Sequence, residues 1–430
     1  MVSNIDCPIL LEDDYSCDHF FKTSMAHNLV NRRYFLLQSL SLALALQSSR
    51  LAFADTGFRQ WVLKFKQIAC ASGIQPQTFD LAFKTVSTID PEVLQKATYQ
   101  PEFNAEPWAY FDNHIQEDAI YEGRKLAIKW QKYLKAIESR YGVQSSILLA
   151  IWSLETNFGA VLSRSDVMRD VIRSLATLAY ADKRRAKYAR AQLIAAMRLL
   201  QSGDIDRKHL QGSWAGALGH TQFIPTSYLK YGVDFDNDGH RDILNSIPDA
   251  LASSANLLAK NGWQKGRTWF YEVSLPDHPL PSNSHRIEYW QSLGIRRTNG
   301  SAFLNPQELA LLKQPGGSKG PAFLVTHNFF VLKRYNNSDR YAFAVGLLAD
   351  RISGNPAPVR DWYRPFQGVS FKERKEIQLR LQKLGYYSGR IDGKIGSASR
   401  KAIETFQLRH HMPINGYPSR QLFNILTENF

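Results

Sequence analysis

Cysteine is scarce in this chain, and the scarcity excludes two ways of stabilising a fold. Only three cysteines occur among 430 residues, and Cys7 and Cys17 both lie within the first 54 residues. Cys70 alone remains in the rest of the chain, so it can form neither an internal disulfide nor a cysteine metal cluster. Apolar cores must therefore stabilise the protein, and Cys70 is expected to be an inert core residue.

A long apolar run is also missing. The apolar stretch Leu36 to Leu46 is shorter than the roughly 20 residues that a transmembrane helix needs. It follows the basic start Asn31-Arg-Arg-Tyr-Phe-Leu36 and precedes Ala52-Phe-Ala54, a small-x-small cleavage pattern. Residues 1–54 are therefore predicted to be an N-terminal extension and signal peptide, cleaved after Ala54, with no transmembrane anchor in the mature protein.

The leader also predicts the export pathway and the cellular location of the mature protein. The pair Arg32-Arg33, followed by Phe35-Leu36, resembles a twin-arginine export signal, and an ordinary secretory signal is the alternative. Export through either route predicts the periplasm, in a Gram-negative bacterium. Residues 1–24 show no signal character, and no function is assigned to them.

Acidic residues are outnumbered, with 39 Asp and Glu against 53 Lys and Arg, which gives a net charge of +14. A basic protein is attracted to polyanions. The sequence has no Arg-rich block, zinc-finger spacing or aromatic RNA-binding signature, so no nucleic-acid partner is predicted. The charge alone does not identify the polyanion.

Alternating strand patterns are scarce, whereas helical periodicity is frequent. Helices are predicted over 58–70, 116–141, 184–200 and 247–260. The chain is long enough for two or three domains with sizeable cores. A mainly α (α+β) fold is therefore predicted.

One acidic residue stands out on an apolar helix. Leu148, Ile151, Trp152 and Glu155 follow the spacing i, i+3, i+4 and i+7, so they share one helix face. Gly159 follows closely and is expected to end the helix. Burial raises the pKa of a carboxyl group, which suits a general acid at neutral pH. The alternative is a buried glutamate held by an arginine.

A glycine-rich segment follows in Gly212 to Tyr228. Its glycines predict a backbone that a ligand can approach closely. Ser213 and Gln222 can donate hydrogen bonds to sugar hydroxyls or acetamides, and Trp214 can pack on a sugar ring.

Together with Glu155, these segments resemble the lytic transglycosylases of the membrane-bound B type, a lysozyme-like, murein-cleaving family also known as glycoside hydrolase family 103. The resemblance spans roughly residues 58 to 355. It includes these further motifs: Gln100-Pro-Glu-Phe103, Trp108-Ala-Tyr110, Leu175-Ala-Thr-Leu-Ala179, Lys183-Arg-Arg185, Gly320-Pro-Ala-Phe-Leu324, Asn328-Phe329 and Arg334-Tyr-Asn-Asn-Ser-Asp-Arg-Tyr341.

The resemblance implies the chemistry. Glu155 would be a single acid/base that cleaves the MurNAc-β-1,4-GlcNAc bond of peptidoglycan and leaves a 1,6-anhydroMurNAc end, with no cofactor required. Its partner is the glycan strand, and cell-wall synthesis or secretion assemblies are further candidate partners. The implied substrate-binding residues are Tyr110, Arg184, Arg185, Ser213, Gln222, Tyr335, Asn336 and Tyr341. His220 departs from the family pattern and is expected to face solvent.

The end of the chain resembles a small three-helix peptidoglycan-binding module. Its motifs are Leu381-Gln-Lys-Leu-Gly-Tyr-Tyr-Ser-Gly389, Ile391-Asp-Gly-Lys-Ile-Gly396 and Ala402-Ile-Glu-Thr-Phe-Gln407. The predicted domains are thus a lysozyme-like catalytic domain over 55–361 and a binding domain over 366–430. Such a module would hold the enzyme on its insoluble substrate and so raise its effective concentration there.

Residues 234–242 have the pattern of a calcium loop. Oxygen-bearing side chains occupy positions 1, 3, 5 and 9, and Gly239 occupies position 6. Position 12 is Asn245 rather than Glu, so Asp249 is predicted to replace it. The proposed structural calcium ligands are Asp234, Asp236, Asp238, His240 and Asp249. The alternative is a turn whose side chains cap the following helix.

Two other functions remain open. A hydrolytic muramidase would cleave the same bond with water and would need a second carboxylate, for which Asp204, Asp206 and Asp234 are the candidates. A non-catalytic peptidoglycan-binding protein would keep the fold without the reaction. The sugar product separates the enzymes, because hydrolysis leaves a reducing end and transglycosylation leaves an anhydro end.

Overall fold

The computed structural model describes residues 56–98 and 106–429. The predicted leader, Cys7, Cys17 and the motif Gln100 to Phe103 lie outside these residues. Among the residues described, no helix is both long enough and apolar enough to cross a membrane. Cys70 is only partly buried, so the expectation that it lies in the core is wrong.

Fourteen of the helices described precede residue 353. They are α1 (56–71), α2 (Pro76–Phe83), α3 (Pro91–Thr98), α4 (Pro107–His114), α5 (Glu117–Lys129), α6 (Gln131–Tyr141), α7 (Ser145–Thr156), α8 (Val171–Ala181), α9 (Ala186–Ser202), α10 (Pro225–Tyr231), α11 (Ile247–Lys260), α12 (Ile287–Ser292), α13 (His327–Tyr335) and α14 (Asp339–Ile352).

The helix predicted over 247–260 is confirmed with the same bounds. The helix predicted over 116–141 is two helices, because the backbone leaves helical geometry at Trp130. Neither glycine nor proline marks this break, so the sequence pattern did not reveal it.

Helix α7 lies at the centre of the larger, N-terminal helical domain. Residues Ile147 through Ile151 are fully buried, and the helix packs against α5, α6, α11 and α14. A helix that is apolar on nearly all sides is stable only when other elements surround it. The end of α7, which carries Glu155, is therefore held by the core.

The small sheets were not predicted. Strands β1 (Arg169–Asp170) and β2 (Gln211–Gly212) form one antiparallel pair. A five-stranded antiparallel sheet contains β3 (Phe270–Ser274), β4 (His285–Arg286), β5 (Arg296–Arg297), β6 (Leu309–Lys313) and β7 (Ala322–Val325), in the order β4-β6-β7-β3-β5. Every residue of β7 is buried, so this strand has no polar alternation to reveal it.

The C-terminal module contains three helices, α15 (Phe371–Lys383), α16 (Ser397–Arg409) and α17 (Arg420–Asn429). Ser370 and Glu373 form a capping box at the start of α15. The module has its own apolar core, to which Ile377, Leu381 and Phe406 contribute. The predicted mainly α fold with a small helical C-terminal domain is confirmed.

Candidate active site

Glu155 lies in the last turn of α7, where it is partly buried. The hydroxyl of Tyr341, from α14, donates a hydrogen bond of 2.7 Å to Glu155 Oε1. Burial, followed by the negative charge of Glu155, raises the pKa of Tyr341 well above its ordinary value. Tyr341 therefore remains a protonated donor at neutral pH, and it fixes one of the two carboxyl oxygens of Glu155.

The chain turns sharply after Glu155. Asn157, Phe158 and Gly159 all have positive φ, at 51°, 56° and 89°. Asn157 is the residue that caps α7, so the expectation that Gly159 ends the helix is wrong by two residues. A bulky side chain such as Phe158 is rarely found in this backbone region, and strain of this kind is concentrated at functional sites.

Thr156 joins the end of α7 to the glycine-rich segment. Its buried hydroxyl donates to the carbonyl oxygen of His220 at 2.6 Å and accepts from the Gly159 amide at 3.1 Å. Thr156 was not predicted as a site residue. A threonine in the last helical turn before a strained turn was the available signal, because its hydroxyl can bond nearby backbone groups.

His220 is not the solvent-facing residue that was expected. Its Nδ1 accepts a hydrogen bond of 3.1 Å from the indole Nε1 of Trp152, and burial lowers the pKa of its imidazole. A Cβ added to Gly159 would come within 2.7 Å of the His220 ring. His220 thus packs inside the turn that follows Glu155 and holds that turn against α7.

Glycines in the 212–219 segment serve close packing within the protein. A Cβ at Gly212 would lie 2.3 Å from the Ala217 carbonyl oxygen, and one at Gly219 would lie 2.3 Å from the Ile243 carbonyl oxygen. At Gly216 the obstacle would be the side chain of Leu175. These three glycines thus have a packing role within the protein, and close approach of a ligand to this backbone stays a prediction.

The polar residues of the same segment shape its turns. Ser213 Oγ accepts a hydrogen bond from the Ala217 amide at 3.0 Å. Gln222 has a positive φ of 51°, and its side-chain amide donates to the Gly219 carbonyl. Both residues are partly exposed. As substrate contacts they stay predictions.

The predicted aromatic residues lie at different depths. Tyr335 is 1% exposed; its hydroxyl donates to the Thr221 carbonyl oxygen at 2.6 Å, and its ring stacks on Tyr341. Tyr335 therefore has a supporting position behind Tyr341. Asn336 lies in the turn after α13, partly exposed, and Tyr110 lies on α4, near enough to Tyr341 to affect its pKa.

The two predicted arginines differ in their surroundings: Arg185 is held by neighbouring side chains, whereas Arg184 is exposed. Arg185 forms an ion pair of 2.6 Å with Asp182, and its guanidinium lies over the ring of Trp214. The side chain of Arg184 is 73% exposed. Of the two, Arg184 is the one available to reach a ligand.

Three acidic residues of the predicted calcium loop converge. Ligand oxygens of Asp234, Asp236 and Asp249 all lie within 4.8 Å of one another. Oδ1 of Asp236 is buried and has no hydrogen-bond partner. A cradle of carboxylates with an orphaned oxygen fits a hard cation such as calcium. Asp238 and His240 are exposed and lie outside this trio.

Some oxygens of the same trio also organise the loop. Asp249 accepts hydrogen bonds from the amides of Phe235 and Asp242, and Asp234 accepts one from Gly239. These bonds stay within the loop, and the following helix α11 is capped by Ser246 instead. The alternative that the loop side chains cap that helix is therefore wrong.

Comparison with known proteins identifies the family. The model for the transglycosylase SLT domain matches residues 57–350. The chain belongs to this family. The model for a putative peptidoglycan binding domain matches residues 372–426. The prediction of a lytic transglycosylase domain followed by a peptidoglycan-binding module is confirmed.

Individual relatives of this member of the transglycosylase SLT family support the assignment. Membrane-bound lytic murein transglycosylase B of Escherichia coli (strain K12) is 30% identical over 250 residues, which is 57% of this chain and 66% of that protein. The chain thus spans just under two thirds of the length of this curated relative.

Two solved structures are also similar. SltB3 from Pseudomonas aeruginosa, in complex with NAG-NAM-pentapeptide, is 41% identical with a TM-score of 0.67, and covers 86% of this chain and 99% of its own. Slt35 from Escherichia coli, in complex with calcium, is 26% identical with a TM-score of 0.58, and covers 69% of this chain and 92% of its own.

Proposed function

We propose that this transglycosylase cleaves the MurNAc-β-1,4-GlcNAc bond of peptidoglycan, with Glu155 as its single acid and base. The observation that carries the proposal is the hydrogen bond from Tyr341 to Glu155 Oε1 at the strained end of α7. It holds one carboxyl group in a fixed orientation, as acid catalysis requires. Binding of NAG-NAM-pentapeptide by the relative SltB3 supports the same substrate class.

Tyr341 decides which oxygen of Glu155 carries the catalytic proton. A protonated carboxyl group donates through one oxygen and accepts through the other. Because Oε1 accepts from Tyr341, the proton is placed on Oε2. From there it is transferred to the glycosidic oxygen, and the GlcNAc leaving group departs.

Glu155 then acts as a base. The carboxylate removes the proton from the C6 hydroxyl of the muramoyl residue, and the oxygen attacks C1 of the same sugar. A 1,6-anhydro ring forms without net uptake of water, and Glu155 is protonated again. An attacking group within the substrate is favoured by proximity, so the reaction needs no second catalytic carboxylate.

Nothing in the described residues favours the muramidase alternative. Asp204 is paired with Arg241, Asp206 is paired with His209, and Asp234 accepts backbone amides of its own loop. Each carboxylate suggested as the second catalytic group is thus engaged in a local contact. Tyr110, Ser213, Gln222, Asn336 and Arg184 are the proposed substrate contacts.

The product identifies the reaction. Residues 55–430 should release, from purified sacculi, muropeptides about one water lighter than reducing muropeptides when analysed by mass spectrometry. Reducing products would instead establish hydrolysis and reopen the search for a second carboxylate. Binding to sacculi without any product would favour the non-catalytic alternative.

We also infer the location from the predicted leader. An enzyme whose family acts on murein works in the cell-wall space, and export to the periplasm would bring it there. The C-terminal module is proposed to bind the glycan strands. Cleavage after Ala54 is the expected processing site, and N-terminal sequencing of the exported protein would identify another if it exists.

A structural calcium ion is proposed in the acidic loop. Asp234, Asp236 and Asp249 would hold it, because their oxygens converge and Asp236 Oδ1 is otherwise orphaned. The related Slt35 was solved in complex with calcium. A bound ion would neutralise the mutual repulsion of these carboxylates and stabilise the turn before α11.

Calcium should raise the melting temperature of the protein, because a ligand that binds only the folded state stabilises it. Asp236→Asn should largely remove this increase. Asp238→Asn is the matched control, since Asp238 belongs to the same loop but lies outside the trio. Thermal unfolding with added calcium or chelator measures the effect, and equal melting temperatures would support a loop held by its own hydrogen bonds alone.

A further inference from the structure

The C-terminal module is docked on the catalytic domain through helix α4. The side-chain amide of Asn113 makes two hydrogen bonds to one residue of the module. Its Nδ2 donates to the Ile395 carbonyl oxygen at 3.2 Å, and its Oδ1 accepts from the Ile395 amide at 2.9 Å. This pairing fixes both the distance and the orientation of the module relative to α4.

An ion-pair cluster lies beside the amide contact. Asp112 pairs with Arg364 at 2.6 Å and with Arg374 at 3.5 Å, and its carbonyl oxygen accepts from Arg374 at 2.9 Å. The side chain of Arg374 is only 7% exposed. Removing the carboxylate partner of a guanidinium this buried is strongly destabilising, so Asp112 is required for Arg374 to occupy this position in the docked structure.

Aromatic packing completes the interface. The ring of Trp108 lies 5.3 Å from Phe366 and 4.7 Å from Tyr417, measured between ring centroids. Three successive positions of contact, Trp108, Asp112 and Asn113, thus lie on α4. Trp108 and Asp112 are four residues apart and so share one face of α4, while Asn113 contacts the module from the last turn of the helix.

Helix α4 cannot hold its own position. It has eight residues and lacks a side-chain hydrogen bond at its N-cap, Glu106. Helices this short are not stable alone, so their placement depends on tertiary contacts. Away from the module, α4 packs against α14, the helix that carries Tyr341. Tyr110 also lies on α4, so the placement of this helix fixes the position of Tyr110 as well.

The module and the end of α7 also border one cavity. It has a volume of about 1040 Å³, and its lining includes Ser153 and Asn157 from the catalytic domain and Lys394 from the module. Ser153 and Asn157 flank Glu155 in the chain. The module therefore borders the turn that follows Glu155 rather than hanging from a loose tether.

We propose that the C-terminal module positions the catalytic cleft: by engaging Asn113 and Asp112, it holds α4 and thereby sets the position of Tyr110 relative to α14, the helix that carries Tyr341. Asn113 is a positioning residue in this scheme. The inference rests on the proposed roles of Glu155 and Tyr110. It goes beyond anchoring, because an anchor acts only on insoluble substrate, whereas a positioning module also affects soluble glycans.

The test uses the full mature chain and a soluble peptidoglycan oligosaccharide, for which anchoring is irrelevant. Asn113→Ala removes both hydrogen bonds to Ile395, and we expect kcat to fall about tenfold, the effect of about 1.4 kcal/mol. Arg374→Gln removes the ion pair between the module and Asp112 and should lower kcat in the same direction. Two variants from different contacts guard against a folding defect in either one.

Lys375→Ala is the matched control. Lys375 crosses the same interface to Asp118, but the two side chains are 38% and 65% exposed, so this ion pair contributes little. Its kcat should equal that of the unmodified chain. Thermal unfolding of each variant verifies that it is folded, and limited proteolysis at residues 353–370 reports undocking.

A double-mutant cycle tests whether the effect passes through Tyr110. If α4 transmits it, Asn113→Ala should cost much less kcat in a Tyr110→Phe background than in the unmodified chain. Independent effects in the cycle, or unchanged kcat in folded Asn113→Ala, would overturn the positioning role. Failure of the proposed function is a separate result, because it would appear as activity retained in Glu155→Gln.

Discussion

Glu155→Gln is expected to abolish release of anhydro-muropeptides from sacculi, with a loss of roughly 10³-fold or more from the removed acid and base. The amide of glutamine has the size of the carboxyl group but can neither protonate the glycosidic oxygen nor accept the C6 proton. It can still accept a hydrogen bond from Tyr341, which holds the carboxyl group at 2.7 Å. The fold and the neighbouring contacts should therefore persist.

Binding to sacculi distinguishes a variant that is folded but catalytically inactive from one that is misfolded. Sedimentation with sacculi should recover Glu155→Gln as completely as the unmodified chain, because the C-terminal module is unchanged. Glu288→Gln, a surface substitution on α12 with 48% side-chain exposure, is the matched control and should retain full activity. Lytic activity in Glu155→Gln would refute the assignment of this residue.

Tyr341→Phe is expected to lower kcat by about 10–100-fold with little change in KM. The lost hydrogen bond joins a hydroxyl to a carboxyl group, and bonds to charged groups contribute about 1.5–3 kcal/mol. Without it, the catalytic proton is no longer directed to one oxygen of Glu155. An unequal effect on kcat and KM indicates that the interaction matters during the reaction rather than in substrate binding.

The pKa of Tyr341 makes this prediction independent of pH in the neutral range. Because burial and the Glu155 charge raise that pKa well above its ordinary value, the hydroxyl stays protonated from neutral to moderately alkaline pH. Loss of activity in that range therefore does not arise from titration of Tyr341. Steady-state kinetics on a soluble oligosaccharide across pH measures both effects.

Tyr228→Phe is the matched control for Tyr341→Phe. Tyr228 is also fully buried, but its hydroxyl donates to the backbone carbonyl of Arg241. Its substitution should lower the melting temperature while leaving kcat nearly unchanged. If Tyr228→Phe and Tyr341→Phe reduced kcat equally, the loss would reflect general destabilisation of the domain.

The catalytic helix could be predicted because its signal is local. Apolar residues at helical spacing place Glu155 on the buried face, and α7 follows that pattern from Ser145. The C-terminal cap of α7 could not be predicted with the same accuracy, because both Asn157 and Gly159 tolerate a left-handed backbone. Which of them ends the helix depends on Thr156 and His220, and His220 is far away in the sequence.

The features that could not be predicted from the sequence depend on contacts between segments that are distant in the chain. The tight packing at Gly212 and Gly219 involves backbone atoms of Ala217 and Ile243, whereas the sequence shows only that glycine is present. The hydrogen bond from Tyr341 to Glu155 joins residues 186 positions apart. The docking of Asn113 on Ile395 spans 282 positions, and neither residue type indicates an interface.

The left-handed turn at Asn157, Phe158 and Gly159 has a consequence for protein engineering. Residues in such backbone regions are held there by their surroundings and cost about 1–3 kcal/mol each when they are not glycine. Selection for heat resistance alone would favour substitutions that let this turn relax, since stability and activity often oppose each other at strained sites. We therefore expect that variants selected only for thermal stability would have Glu155 displaced from its catalytic position, unless activity were screened in every round of selection.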